Sequence, residues 1–276
     1  MRPVGRGRRW YQTASGRWGL VLLVPVVWMA VGAPWLARHA PTAQPYRERA
    51  LAAPSRQHWL GVDAVGRDVW TRLVYGARTT LGVALAATML AVGAGTVLAV
   101  SAVQWRGWWE MIVVAVVDFL LAFPPILLGL VAMTVLPPSP GSVAVAVGVA
   151  SLPAVVRQVR TALLSELGKE YVLAARAAGA GRVRVMWVEV LPNCVSVVVA
   201  MATVTVGSAV LEAAGLAFLG LAGQPDVPEW GAMLREERSL HVLAHAPWVV
   251  LAPGGAIVWT VLGCQLLADS LRAGGR

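Results

Sequence analysis

Six apolar stretches limit what this 276-residue chain can fold into. At about 20 apolar residues per transmembrane helix, they fall at roughly 18–36, 80–102, 111–135, 141–157, 194–216 and 247–268. In hydrocarbon every backbone N–H and C=O must be bonded within the protein, so the pattern predicts an all-α, polytopic membrane bundle of about six helices. Hydrophobic residues make up 58% of the chain and charged residues 13%, which sets aside an ordinary soluble domain. The fourth stretch is the shortest and carries Pro153. The third holds Asp118 and the pair Pro124 and Pro125. A proline inside a helix removes a donor and crowds the preceding turn, so a bend is predicted there. Small residues at four-residue spacing, Gly82/Ala86 and Ala144/Gly148, suit close helix packing in lipid. No internal repeat is visible, and an inverted-repeat transporter gains no support.

Charge then orients the bundle. The first residues, MRPVGRGRRW, look like the basic region of a secretory signal. The apolar stretch that follows is long for a signal and lacks a clean A-x-A site, so it is read as a retained first helix. The net charge is +9, with arginines spread between the spans. That spacing fits topology determinants rather than a nucleic-acid footprint, and no nucleic-acid partner is predicted. With the N-terminus in the cytosol, inside segments carry 14 Lys and Arg against 9 outside. The bias predicts both termini in the cytosol. The organisation follows: a cytosolic tail at 1–17, a first helix and external segment at 18–78, and a core transmembrane domain at 79–272. A cytosolic loop lies at about 158–193.

Several chemistries are missing. The one lysine, Lys169, precedes Glu170, and no G-x-x-x-x-G-K-[ST] loop exists, so the chain is not expected to hydrolyse ATP. Neither H-E-x-x-H nor G-x-S-x-G occurs, and no catalytic residue or cofactor is assigned. Cys194 and Cys264 lack partners at metal-ligand spacing. His241 and His245 share a helix face at i, i+4. They read either as a metal pair or as plain polar surface, and no metal is assigned. Glu212 stands late in the fifth span, in AVLEAAGLAFLGL. It reads as a structural carboxylate bonded to a neighbouring helix near the outer boundary, or as a group on a translocation path or proton relay. Asp118 and Asp269 are expected near helix ends at the cytosolic surface.

The polar segment EYVLAARAAGAGRVRVMWVEVLPN, at 170–193, asks for a purpose beyond connection. Residues 171–178 are good helix formers. Gly179 suits the left-handed position that ends a helix. RVRVMWVEV alternates like a strand, but a lone strand between membrane helices has no partner, so it is read as helical.

These residues resemble the EAA loop of permease subunits of ABC importers. Leu173, Ala174 and Ala175 stand where that pattern has Glu-Ala-Ala, Gly179 at its glycine, and Leu191 and Pro192 at its Leu-Pro end. Leu173 replaces the glutamate, and Glu170 lies one turn earlier. HWLGVDAVGRDVWTRLVYGARTTL, VDFLLAFPPILL, EAAGLAFLGL and APWVVLAPGGAIVWTVLG are similar, in order, to segments of the dipeptide, oligopeptide and nickel permeases. The likeness is strongest to the second of their two permease subunits. The resemblance implies a type I importer permease in the bacterial inner membrane. Its implied partners are a second permease, two cytosolic ATPase subunits and an external substrate-binding protein. It also implies that Glu170, Leu173, Ala174, Ala175, Arg176, Gly179, Leu191 and Pro192 form the ATPase-coupling loop. Glu212, Pro124 and Pro125 remain path or packing residues. Peptides, nickel and other small solutes all stay open as cargo. The competing readings are a lone proton-coupled transporter using Glu212 and a membrane enzyme.

Overall fold

The computed structural model describes residues 10–43, 49–221 and 227–274. Residues 1–9, which hold most of the basic tail, lie outside them. Thr13 caps α1 (Ala14–Val31) by accepting the Gly16 N–H, and a short α2 (Ala33–Leu36) follows. Asp68 caps α3 (Val69–Gln104), whose 36 residues far exceed the predicted 80–102. At 1.5 Å per residue α3 is about 54 Å long, so it projects beyond any bilayer core. The predicted third span is two helices, α4 (Trp108–Leu121) and α5 (Pro125–Met133), bent by 95°. Pro124 and Pro125 stand at the break, as the sequence suggested.

α6 (Pro140–Leu167) runs unbroken through Pro153, so residues 158–167 extend this helix rather than a loop. Its packing along α3 on both sides of the proline outweighs the roughly 3 kcal/mol that an interior proline costs. Then come α7 (Glu170–Ala177), the single turn α8 (Arg182–Arg184) and a π segment Val185–Val190. The π segment leads directly into α9 (Leu191–Phe218), so RVRVMWVEV is helical as expected. Short helices α10 (Trp230–Glu236) and α11 (Leu240–His245) precede α12 (Pro247–Gly274). The described residues contain five helices long and apolar enough to cross a membrane, or six if α4 and α5 form one broken span.

α3 and α6 lie side by side in the same direction. Gly148 sits against Ala87 and Leu90, and Gly95 against Val155. The Ala144/Gly148 pair is therefore a packing face, as predicted. Gly82 and Ala86 are exposed, with nothing near Gly82, so that pair is not an interface within this chain. Two apolar cores divide the bundle along its length. One joins the starts of α3 and α6 to the end of α9, α10 and α12. The other joins the ends of α3 and α6 to α4, α7 and the π segment. The two extremities are called below the α10 end and the α7 end. α1 lies on α12, where Trp259 donates to the Leu22 carbonyl at 2.8 Å.

Gly231 is the tightest approach. A Cβ there would lie 2.1 Å from the Ala214 carbonyl oxygen of α9, which is backbone and cannot step aside. Gly231→Ala is expected to destabilise the protein by about 1–3 kcal/mol or more through overpacking. Thermal unfolding in detergent checks this, and an unchanged midpoint would contradict the packing described.

Candidate functional site: the 168–193 loop

The loop is built outward from buried anchors. Val172, Val185, Met186 and Val190 are buried in the core at the α7 end. Glu166, the penultimate residue of α6, ties the loop down. It accepts from the Tyr171 hydroxyl at 2.6 Å and from Lys169 Nζ at 2.7 Å. Asn193, at the start of α9, donates to Tyr171 Oη at 3.3 Å and to the Glu189 carbonyl at 2.6 Å. One phenol therefore links α6, α7 and α9. Removal from water, and then the bond to Glu166, push the Tyr171 hydroxyl up to about 12, so it stays protonated at cellular pH.

Gly179 has φ +87°, the left-handed conformation the sequence predicted. The Gly179 N–H donates to the Arg176 carbonyl at 2.9 Å and the Ala180 N–H to the Ala175 carbonyl at 3.0 Å. That pair of bonds is the Schellman pattern, which closes α7 and turns the chain sharply. At the other end Pro192 lacks an N–H, and its ring would crowd the carbonyl of Val188 in a regular helix. The wide π turn just before it makes room, and Asn193 takes up the Glu189 carbonyl.

The anchors leave one surface bare. Leu173, Ala174, Arg176 and Gly179 are exposed, and Ala175 is half-buried. Glu170 opens α7, where a carboxylate suits the positive end of the helix. Leu191 is half-buried and Pro192 exposed. Val183, Trp187 and Val188 are exposed as well, an apolar patch that sequence reasoning missed. Its signal is the spacing of the buried residues 185, 186 and 190, which turns 183, 187 and 188 outward.

The far end of the bundle holds an ion network that the sequence did not reveal. Asp63 Oδ2 accepts from Arg67 Nε at 2.7 Å and from Arg72 at 2.9 Å. Glu236 of α10 accepts from Arg67 and from Arg72, the latter at 2.8 Å. Asp63 and Arg72 are almost wholly buried. Burial works to lower the Arg67 pKa, but Asp63 and Glu236 together raise it above its ordinary value. Glu229 caps α10 through the Ala232 N–H at 2.8 Å and accepts from Thr80 at 3.1 Å. Burial pushes the Glu229 carboxyl up despite these bonds. Nearby, His58 Nδ1 lies 2.8 Å from Asp68, with His39 stacked on the His58 ring. The segment 58–72 is thus clamped to α10.

Other predicted residues fall elsewhere. Glu212 approaches Ser151 of α6 at 3.5 Å, the neighbouring-helix contact of the structural reading. Asp118 is not at the α7 end. It is the eleventh of the fourteen residues of α4, 4.0 Å from Arg157. Asp269 does lie close to the end of α12, beside Arg272. His241 and His245 stack on one helix face, and His245 contacts the His241 carbonyl.

Comparison with known proteins decides what these parts belong to. Residues 91–272 match the family model described as binding-protein-dependent transport system inner membrane component. The chain belongs to that family. This permease is 41% identical over 260 residues to the dipeptide transport system permease protein DppC of Escherichia coli K12, covering 92% of this chain and 86% of the relative. It is 37% identical to the DppC of Alkalihalophilus pseudofirmus over 254 residues, with 92% and 83% covered. It is 36% identical to the glutathione transport system permease protein GsiD of an Escherichia coli O6 strain over 267 residues, with 97% and 86% covered. Membership favours a permease subunit of an ABC transporter over a transporter acting alone through Glu212, and the fold is that of a type I permease.

Asp63 tests the clamp. Asp63→Ala leaves Arg72 with half its partners in a buried site. A loss of about 3–5 kcal/mol is expected, the usual penalty for a broken buried pair. Thermal unfolding of the purified permease measures it, and a shift no larger than that of a surface substitution would contradict the role assigned.

Proposed function

We propose that this permease is one half of the path of a peptide importer and that its 168–193 loop docks on a cytosolic ATPase. The observation that carries the reading is the loop itself. Four buried anchors and a Glu166–Tyr171–Asn193 tether hold it rigidly to the membrane helices α6 and α9, while its outer face is left bare. A rigid element with an uncovered face transmits force; a plain connection needs no such tether. Ala174 and Ala175 allow close approach, Arg176 offers a fork of donors to a carboxylate, and Leu173 with Trp187 supplies apolar contact. The lack of a G-x-x-x-x-G-K-[ST] loop in the sequence supports the reading that partner subunits hydrolyse ATP.

The complete assembly contains a second permease, two ATPases and an external binding protein. The relatives named for dipeptide and glutathione transport support small peptides as the cargo class. The basic-residue bias supports an orientation with both termini and the loop in the cytosol.

Gly179→Val gives the test. Open space surrounds the position, so the cost is that of a left-handed β-branched residue, above the roughly 1–2 kcal/mol of an ordinary side chain. The variant is expected to insert and to pair with the second permease, yet to lose ATPase pull-down and dipeptide uptake. Wild-type docking and uptake would mean that the loop is only a connection.

A further inference from the structure

The pair α4 and α6 carries charge where lipid does not tolerate it. Asp118 lies ten residues beyond Trp108 at the start of α4, and Arg157 ten residues before Leu167 at the end of α6. At 1.5 Å per residue each stands about 15 Å from its helix end. The exposed indoles of Trp105 and Trp108 mark that end as the membrane–water boundary. Ionisable groups at such depth face a bundle interior or water, because facing lipid is costly. Here the chain's own helices do not cover them: the side chains of Asp118 and Arg157 are 58% and 67% exposed.

Their neighbours differ. Arg160 and Glu110 form a close pair that is mostly covered, as expected of a strut between α4 and α6. Asp118 and Arg157 stay 4.0 Å apart, a loose contact that leaves both with unused hydrogen-bonding capacity. They border a cavity of about 270 Å³ shared with Arg160 and Thr161, over an apolar floor that includes Val117 and Val156. The exposed stripe of α6 changes character at the same level. Gly141, Val145 and Val149 give way beyond Pro153 to Arg157, Thr161 and Ser165. A stripe that turns polar in this way suits the wall of an aqueous path.

We propose that Asp118 and Arg157 form a charged station in the translocation path that receives zwitterionic solutes. The carboxylate takes the solute's ammonium and the guanidinium takes its carboxylate, each exchanging a loose mutual contact for one with cargo. The proposal rests on the importer reading. The relatives' printed cargoes, dipeptide, di/tripeptide and glutathione, share an α-ammonium and a carboxylate within one small molecule. Because the pair is intact before cargo arrives, the exchange is nearly balanced, and a path needs binding weak enough to release.

The experiment uses the assembled transporter in proteoliposomes, with Cys194→Ala and Cys264→Ala removing the native thiols. Thr161→Cys places one thiol on the cavity wall. It is labelled with a cationic and an anionic methanethiosulfonate reagent, and the two rates are compared. Both reagents are expected to react. Asp118→Asn should shift the rate ratio about fivefold toward the anionic reagent, and Arg157→Gln about as far toward the cationic one, the effect of one unit charge at close range. Saturating Ala-Ala with its binding protein should slow labelling, and the double variant Asp118→Asn with Arg157→Gln should abolish that protection. A thiol unreactive to both reagents in every nucleotide state would mean that the partner permease buries the pair, and the proposal falls. A ratio unmoved by either variant overturns it too. Labelling needs no net transport, so a transporter that labels as expected but takes up no dipeptide would sink the importer reading and leave the water-lined pair standing.

Discussion

A chain that crosses hydrocarbon must satisfy its backbone and charged groups inside the protein, and several irregularities of this permease sit where another group meets that demand. The turn after α7 is closed by two backbone bonds at Gly179. The proline at 192 is preceded by a π turn and accompanied by Asn193. The break between α4 and α5 falls at two prolines, one of which opens a helix where its missing N–H is not needed. Arg67 and Arg72, buried near the start of α3, meet two carboxylates from different parts of the chain. Where the demand is not met within the chain, as at Asp118 and Arg157, something outside must meet it.

Those local solutions produce a molecule with two differently built ends. At the α10 end, a buried ion network clamps the segment before α3 to α10, and Trp230 donates from its indole to the Leu73 carbonyl at 2.9 Å. At the α7 end, hydrogen bonds through one tyrosine hold a short helix against two long ones, α6 and α9. α3 and α6 span the distance between the two ends as parallel, closely packed rods. Interiors packed this tightly move as units rather than deform. A push on α7 is therefore delivered to α6, along whose side Arg157 and Ser151 lie, the latter against Glu212.

Much of this was legible in the sequence. The spans followed from hydropathy, the bend from Pro124 and Pro125, and the left-handed turn from Gly179, because each rests on a local rule. The length of α6 was not legible. Its last ten residues carry Arg160 and Glu166, which read as loop until their partners Glu110 and Tyr171 are known. RVRVMWVEV alternates, yet its buried members are 185, 186 and 190, a spacing that follows from the π turn and from neither regular period. The ion network was hidden for another reason. Arg67 and Glu236 are 169 residues apart, and no short-range pattern joins them.

The central claim is that the bare face of α7 meets a cytosolic ATPase. A photoreactive amino acid placed at Ala174, in cells carrying the whole transporter, tests it most directly, with the same probe at Leu240 of α11 as the comparison. Light is expected to join the Ala174 probe to an ATPase subunit and to leave the Leu240 probe without that product. No ATPase adduct from Ala174, or an equal one from Leu240, would contradict the account.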